Sequence, residues 1–215
     1  MSYSIKTAVI YGDSISTTEY GGGGYQALIQ KELNIETIYN HAISASGLSA
    51  STPDNLVSLL KKSENLHSDA ELIIIWHGTN DWYWGAPIGE SDTNDLTTFT
   101  GGAKFAIETI RKNSPMANII WLTPMYRFQE PFNCCVQAEA WENKNAAGHT
   151  QADYEKTIID LSKKYCFPVI DMRRLTNFNA YNTEKFLPDN IHPSRDGYLR
   201  IAKIISSYVK MLYAD

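Results

Sequence analysis

Cysteine is scarce: the chain has three in 215 residues, two of them the neighbours Cys134 and Cys135, with Cys166 alone. That number builds no disulfide framework, so reduced thiols are the plain expectation. Positive charge is also thin. Lys and Arg number 19 against 24 Asp and Glu, for a net charge of −5, and no basic cluster exceeds the pairs Lys61-Lys62 and Arg173-Arg174. Nothing here offers an electrostatic footprint for nucleic acid or for an anionic membrane surface. No apolar run approaches the roughly 20 residues of a spanning helix, so stable membrane insertion is not expected. The chain enters an apolar run without a basic segment and long apolar core ahead of it, so no signal peptide is read. The cytoplasm is then the default compartment, with secretion left open. Repeats, low-complexity tracts and linkers are absent as well, and one domain over 1–215 is expected.

What is present is ordinary for a globular fold, with 43% hydrophobic and 20% charged residues. Five short apolar runs read as strands: Thr7 to Tyr11, Ile35 to Tyr39, Leu72 to Trp76, Asn118 to Thr123 and Pro168 to Asp171. Between and after them, apolar residues recur at helical spacing. Examples are Tyr25, Leu28, Ile29 and Leu33; Phe99, Ala103, Ala106 and Ile110; Tyr154, Ile158, Leu161 and Tyr165; and Tyr198, Ala202, Ile205, Val209 and Leu212. A further helix is expected after Pro53, with Leu56, Leu59, Leu60 and Leu66 as its stripe. Trp82 to Leu96 shows no period and reads as a loop. Residues 126–148 read as a lid over a site or as a surface excursion. The alternation implies an α/β fold, a three-layer α/β/α sandwich around a five-stranded parallel sheet. Gly21 to Gly24 lack the Lys-Ser/Thr ending of a phosphate loop and read as a flexible loop.

The first strand runs into Gly12-Asp13-Ser14, the second into Asn40 to Gly47, and the third into His77-Gly78-Thr79-Asn80-Asp81. In a flavodoxin-like order 2-1-3-4-5 these three loops are neighbours at the carboxyl edge of the sheet, where such folds bind ligands. Gly12-Asp13-Ser14 by itself is equally a turn made of residues that turns favour. A fourth segment, Asp189-Asn190-Ile191-His192, precedes the last helix, which Ser194 can cap. Its spacing lets Asp189 accept from His192 Nδ1, leaving Nε2 free to take a proton from Ser14.

Gly12-Asp13-Ser14, Asn40 to Gly47, Gly78-Thr79-Asn80-Asp81 and Asp189 to His192, in that order, resemble the four blocks of the SGNH hydrolases, the GDSL-type esterases and lipases. The resemblance spans about 9 to 200 and implies the same flavodoxin-like fold. It implies Ser14 as nucleophile, His192 as base and then acid, and Asp189 as its orienting carboxylate. The implied oxyanion hole combines the N–H of Ser14, a backbone N–H from the second block and the Asn80 amide, with no cofactor and no metal. Counted without gaps, the family's oxyanion glycine falls on Ala45, while the nearby glycine is Gly47; both are candidates. Ile15 stands where the family name has Leu. Asp13, Trp82, Tyr83 and Trp84 are the candidate substrate-binding residues, the aromatic ones as a rim that packs on a sugar ring or an acyl chain.

His77 is the second candidate for the base, but no carboxylate stands three residues before it. His41 reads as a packing or rim residue, His67 and His149 as solvated. The expected activity is hydrolysis of a carboxylic ester, a carbohydrate O-acetyl group included. A lysophospholipase or thioesterase on the same fold is the nearest alternative. A metal-dependent phosphoesterase using Asp13, Asp81, Asp189 and His192, or a binding module without catalysis, are the alternatives of another class. The expected partner is a small-molecule or glycan ester, and oligomeric state is not legible.

Overall fold

The structure, a computed structural model, describes residues 4–213; the outermost residues of the expected 1–215 span lie outside the described ones. In chain order the elements are β1 (Ile5–Gly12), α1 (Gln26–Leu33), β2 (Ile35–Asn40), α2 (Leu56–Leu60), β3 (Leu72–Trp76), α3 (Thr79–Trp84) and α4 (Phe99–Asn113). There follow β4 (Asn118–Leu122), β5 (Phe128–Gln129), β6 (Ala138–Glu139), α5 (Gln151–Tyr165), β7 (Val169–Ile170), α6 (Met172–Thr176), α7 (Thr183–Phe186) and α8 (Arg195–Leu212). The main sheet is ordered β2-β1-β3-β4-β7, all parallel, which is the expected 2-1-3-4-5 once the small β5–β6 hairpin is set aside.

Alternate side chains of each strand point to opposite faces, so the sheet carries two cores. Ile10, Ile74, Trp76 and Leu122 face one, shared with Ile29 of α1 and Ile201 and Ile205 of α8. Val9, Ile73, Ile75 and Trp121 face the other, shared with Phe99 and Ile107 of α4 and Ile158 of α5. Both faces of β3 are covered, which is why its five residues are all buried apolar ones.

Three elements depart from the expectation, each for a local reason. The helix after Pro53 starts later, where the Asn55 side chain accepts from Ser58 N, and it ends at Leu60, so Leu66 lies outside it. Residues 79–84 form α3 rather than a loop. Its apolar side is too short to show a period, and the helix is stopped by Gly85 in a left-handed conformation. Residues 126–148 are tied to the body by Phe128 N donating to Asn190 O, Phe132 N to Tyr83 O and Gln151 N to Ala140 O, and are closed on themselves by Ala140 N donating to Arg127 O. They build a wall of the cleft described next.

Candidate active site

The carboxyl ends of β1, β2, β3 and β4 are adjacent, so the loops that leave them meet above one edge of the sheet. The β1 loop turns sharply after Gly12, where a Cβ would lie 2.5 Å from Ser16 Oγ, a clash only glycine avoids. Asp13 then caps a single helical turn, its Oδ1 accepting from Ile15 N at 2.9 Å. This turn presents Ser14. The Asp13 carboxyl is buried, and burial raises its pKa to about 7 against the lowering effects of the Ile15 N–H and of Arg127. Asp13 therefore shapes the turn from below and does not reach the cleft, contrary to its expected role in substrate binding.

The loop before α8 brings the distant partners. Ser14 Oγ lies 2.9 Å from His192 Nε2, and His192 Nδ1 lies 2.7 Å from Asp189 Oδ2. Asp189 Oδ1 also accepts from the backbone N–H of Ile191 and of His192, which locks the carboxylate and imidazole into one rigid turn. Burial pushes the Asp189 carboxyl up, but the hydrogen bonds from His192 and Ile191 outweigh it and hold the pKa below the usual carboxylate range. Ser194 caps α8 by accepting from Gly197 N at 3.2 Å, which fixes where this turn sits. Tyr20 stacks flat on the imidazole, ring centroids 3.7 Å apart. It arrives on the glycine-rich loop, where a Cβ at Gly21 (φ +55°) would strike Tyr198 and the Pro193 carbonyl. Gly21 thus lets the loop pass close to the histidine turn.

The second loop is bound to the first through Ile43 N donating to Gly12 O at 3.0 Å. Ala45 has φ +62° and lines the cleft beside Ser14 and Asn80. Gly47 does not: its N–H is spent on Asp54 O at 3.1 Å, so it is no candidate oxyanion donor. The Asn80 amide lies at the start of α3, its Nδ2 donating to Ser46 O and its Oδ1 accepting from Arg127, each at 3.1 Å. Asp81 faces the other way. Buried, it accepts from the N–H groups of Leu48 and Ser49 and so anchors the far end of the second loop. Burial raises its pKa to about 6 despite those bonds. Asp13 and Asp81 are thus both engaged by backbone away from His192, and the four residues weighed as metal ligands do not converge.

The aromatic rim divides. Tyr83 lines the cleft. Trp82 is wholly buried in the core, its indole N–H donating to Asn143 O at 2.8 Å, and so is not a rim residue. Trp84 stands outside the central cleft, where its N–H holds Ala45 O at 2.9 Å and its ring packs on Phe132. His77 is buried beneath the site, where burial lowers its pKa to about 3; a neutral imidazole out of reach of the cleft is no base. His67 is not simply solvated: it stacks on Tyr39 and lies 2.8 Å from His41, Nε2 to Nε2. Spacing in the sequence carried no signal for Tyr20, Arg127 or Gln129, which complete the cleft walls. The cleft, open to one side, has a volume of about 210 Å³ and shares Tyr83 and Gln129 with a second, more open cavity of about 380 Å³ lined also by Glu130, Pro131, Phe132, Asn133 and Gln137.

A hydroxyl, an imidazole and a carboxylate in hydrogen-bonded series at the carboxyl edge of a parallel sheet, in a cleft also lined by Ala45 and Asn80, are the working parts of a serine-dependent acyl hydrolase. The chain belongs to the GDSL-like lipase/acylhydrolase family, whose model matches residues 10–200. No curated sequence matches it. Among solved structures it is similar to a protein from Lactobacillus plantarum (21% identity, 98% of this chain and 99% of that one, TM-score 0.84). It is also similar to a possible lipase from Chitinophaga pinensis (21%, 97% and 99%, TM-score 0.75). A third likeness is a catalytic mutant of an acetylxylan esterase from Geobacillus stearothermophilus (16%, 95% and 94%, TM-score 0.61). At these identities the likeness is one of fold.

Proposed function

We propose that this protein removes short acyl groups, acetyl above all, from the hydroxyls of a sugar through an acyl-serine intermediate. The observation that carries the reading is the unbroken series Ser14 Oγ, His192 Nε2, His192 Nδ1, Asp189 Oδ2, with separations of 2.9 and 2.7 Å. His192 takes the Ser14 proton as Oγ attacks the carbonyl carbon, and Asp189 steadies the imidazolium. The negative charge that develops on the carbonyl oxygen meets the N–H groups of Ser14 and Ala45 and the Asn80 amide. These donors are aimed before reaction, and one of them contributes roughly 3–4 kcal/mol to the transition state. His192 then gives its proton to the leaving alcohol. Water, deprotonated by the same imidazole, splits the acyl-enzyme and frees the acid.

The choice of a small acyl group rests on the small volume, about 210 Å³, of the cleft around Ser14. The choice of a sugar as the alcohol rests on the adjoining cavity, where Tyr83 and Phe132 offer ring faces among Gln129, Asn133 and Gln137, side chains suited to pairing with hydroxyls. An acetylxylan esterase among the structural neighbours agrees with that choice.

The test uses a chromogenic acetyl ester with a panel of acyl lengths and acetylated glycans. Turnover should persist in EDTA, stop after a serine-directed phosphonate, favour acetyl over longer chains, and fall at least 10³-fold in folded Ser14→Ala and His192→Ala. Full activity in Ser14→Ala, or loss of activity with EDTA alone, would overturn the mechanism. A preference for long acyl chains would overturn the substrate.

A further inference from the structure

Arg127 is a buried cation that, among the described residues, hydrogen-bonds to no carboxylate; Asp13 and Asp189 act on its charge only through space. It is 5% exposed and sits over the rings of Trp82 and Tyr83, 5.5 and 4.9 Å from their centroids. All its hydrogen bonds go to neutral acceptors. Nε donates to Gln129 Oε1 at 2.9 Å, and Nη2 donates to the same oxygen. Nη1 donates to Thr79 O at 3.2 Å, Thr79 Oγ1 at 3.1 Å and Asn80 Oδ1 at 3.1 Å. Desolvating a guanidinium is costly, and neutral acceptors offset that cost less well than an ion pair does. A protein that keeps such a group beside its reacting atoms is using its charge or its donors.

The last of these bonds is the informative one. A carboxamide has two ends of nearly equal size, and its rotamer by itself does not say which faces a ligand. Guanidinium groups only donate, so Arg127 can pair only with the oxygen end of Asn80 in that position. The Ser46 carbonyl only accepts, so it takes only the nitrogen end, at 3.1 Å. Between them the amide has one orientation, and Nδ2 keeps a second N–H on a residue that lines the cleft with Ser14 and Ala45. A cation on the amide oxygen also draws electron density from the nitrogen, which sharpens Nδ2–H as a donor.

We propose that Arg127 is the positioning residue for the oxyanion hole, acting through Asn80: it fixes the amide one way round and polarises it. This rests on the acyl-serine reading above only for its kinetic consequence; the orientation of the amide is a claim about the resting protein. Arg127 comes from the loop between β4 and β5, outside the four blocks that carry the family resemblance.

The experiment is a double-mutant cycle of Arg127→Met and Asn80→Ala, with thermal melts to confirm folding, read as kcat and KM on the chromogenic acetyl ester. Methionine keeps the stem's packing on Tyr83 and removes every donor. Arg127→Met should lower kcat about 30- to 300-fold with KM changed less than threefold. In the Asn80→Ala background the same change should cost less than threefold, since the group it acts through is gone. Additive losses, or unchanged kcat in folded Arg127→Met, would refute the assignment. Where methionine leaves the chain unfolded, Arg127→Lys keeps the charge and loses the fork, and an intermediate loss of kcat is expected; full activity of the lysine variant refutes the proposal. Independently of turnover, the side-chain NH₂ resonances of Asn80 should shift in ¹⁵N-labelled Arg127→Lys, and unchanged resonances would refute it. If Ser14→Ala stayed active the mechanism above would fall, while those resonances would still decide the role of Arg127.

Discussion

Ala45→Gly should make the protein more stable while leaving the N–H of residue 45 where it is. At φ +62° the alanine Cβ crowds its own backbone, a conformation that costs an L residue about 1–2 kcal/mol and glycine almost nothing. Against this gain stands the extra freedom of glycine in the unfolded chain, about 0.4–1 kcal/mol. Residue 45 is exposed, so removing the methyl forfeits almost no burial. The loop is held by groups the substitution does not touch, Trp84 Nε1 on Ala45 O and Ile43 N on Gly12 O. The balance is a stabilisation of about 0.5–1 kcal/mol, or a rise in melting temperature of up to about 2–4 °C for a chain of this size. Urea denaturation with matched m-values, alongside a thermal melt, measures it. Turnover of the acetyl ester should stay within twofold, because the oxyanion donor is backbone. A lower melting temperature for the glycine variant would mean that residue 45 is not held left-handed in solution, and the reasoning about the second loop would fail with it.

Two further outcomes are expected. His77 stays neutral when folded, its pKa lowered to about 3, while an unfolded histidine takes up its proton near pH 6.5. Its contribution is therefore complete above about pH 6.5 and is lost as pH falls towards 3, by up to about 2 kcal/mol between pH 7 and 5. Asp13 and Asp81, with pKa raised to about 7 and about 6, act in the opposite sense and flatten the total. Comparing urea midpoints of wild type and His77→Gln at the two pH values isolates the histidine: the wild type should lose about 2 kcal/mol more on acidification, and equal losses would contradict a buried neutral imidazole. The neighbours Trp82 and Tyr83 should also separate cleanly. Trp82→Ala should destabilise by about 3–5 kcal/mol through loss of buried volume. Tyr83→Ala should raise KM for acetylated glycans with a much smaller shift in melting temperature; the reverse pattern would mean the aromatic pair has been assigned the wrong way round.

Residues whose roles are local were legible in the chain. The β3 run from Leu72 to Trp76 announced a strand covered on both faces, and Asp189 and His192, three residues apart, announced a carboxylate and an imidazole within reach of one another. Gly12 was readable as a turn because Gly-Asp-Ser closes an apolar run with residues that turns favour, and the structure adds that a Cβ there would strike Ser16. Asp13 and Trp82 were misjudged because adjacency in sequence says nothing about which way a side chain points. Asp13 turns under the loop, and one helical step separates buried Trp82 from Tyr83 in the cleft wall. Gly47 was misjudged because an N–H is a donor to substrate only if no carbonyl has taken it, and Asp54 O has.

The amino-acid pattern alone determined the five strands of the main sheet, the long helices that cover it, and the loops that carry a hydroxyl, an amide and an imidazole, because periodicity and turn chemistry act over a few residues. The short elements α3, β5, β6, α6 and α7 were too brief to show a period. Only the folded chain decided that Arg127 and Tyr20, from loops with no motif, bear on Asn80 and His192, and that Gly47 spends its N–H on Asp54 O while Ala45 lines the cleft. Those outcomes depend on contacts between residues many positions apart, down to one hydrogen bond's length and one backbone dihedral, and no local pattern encodes them.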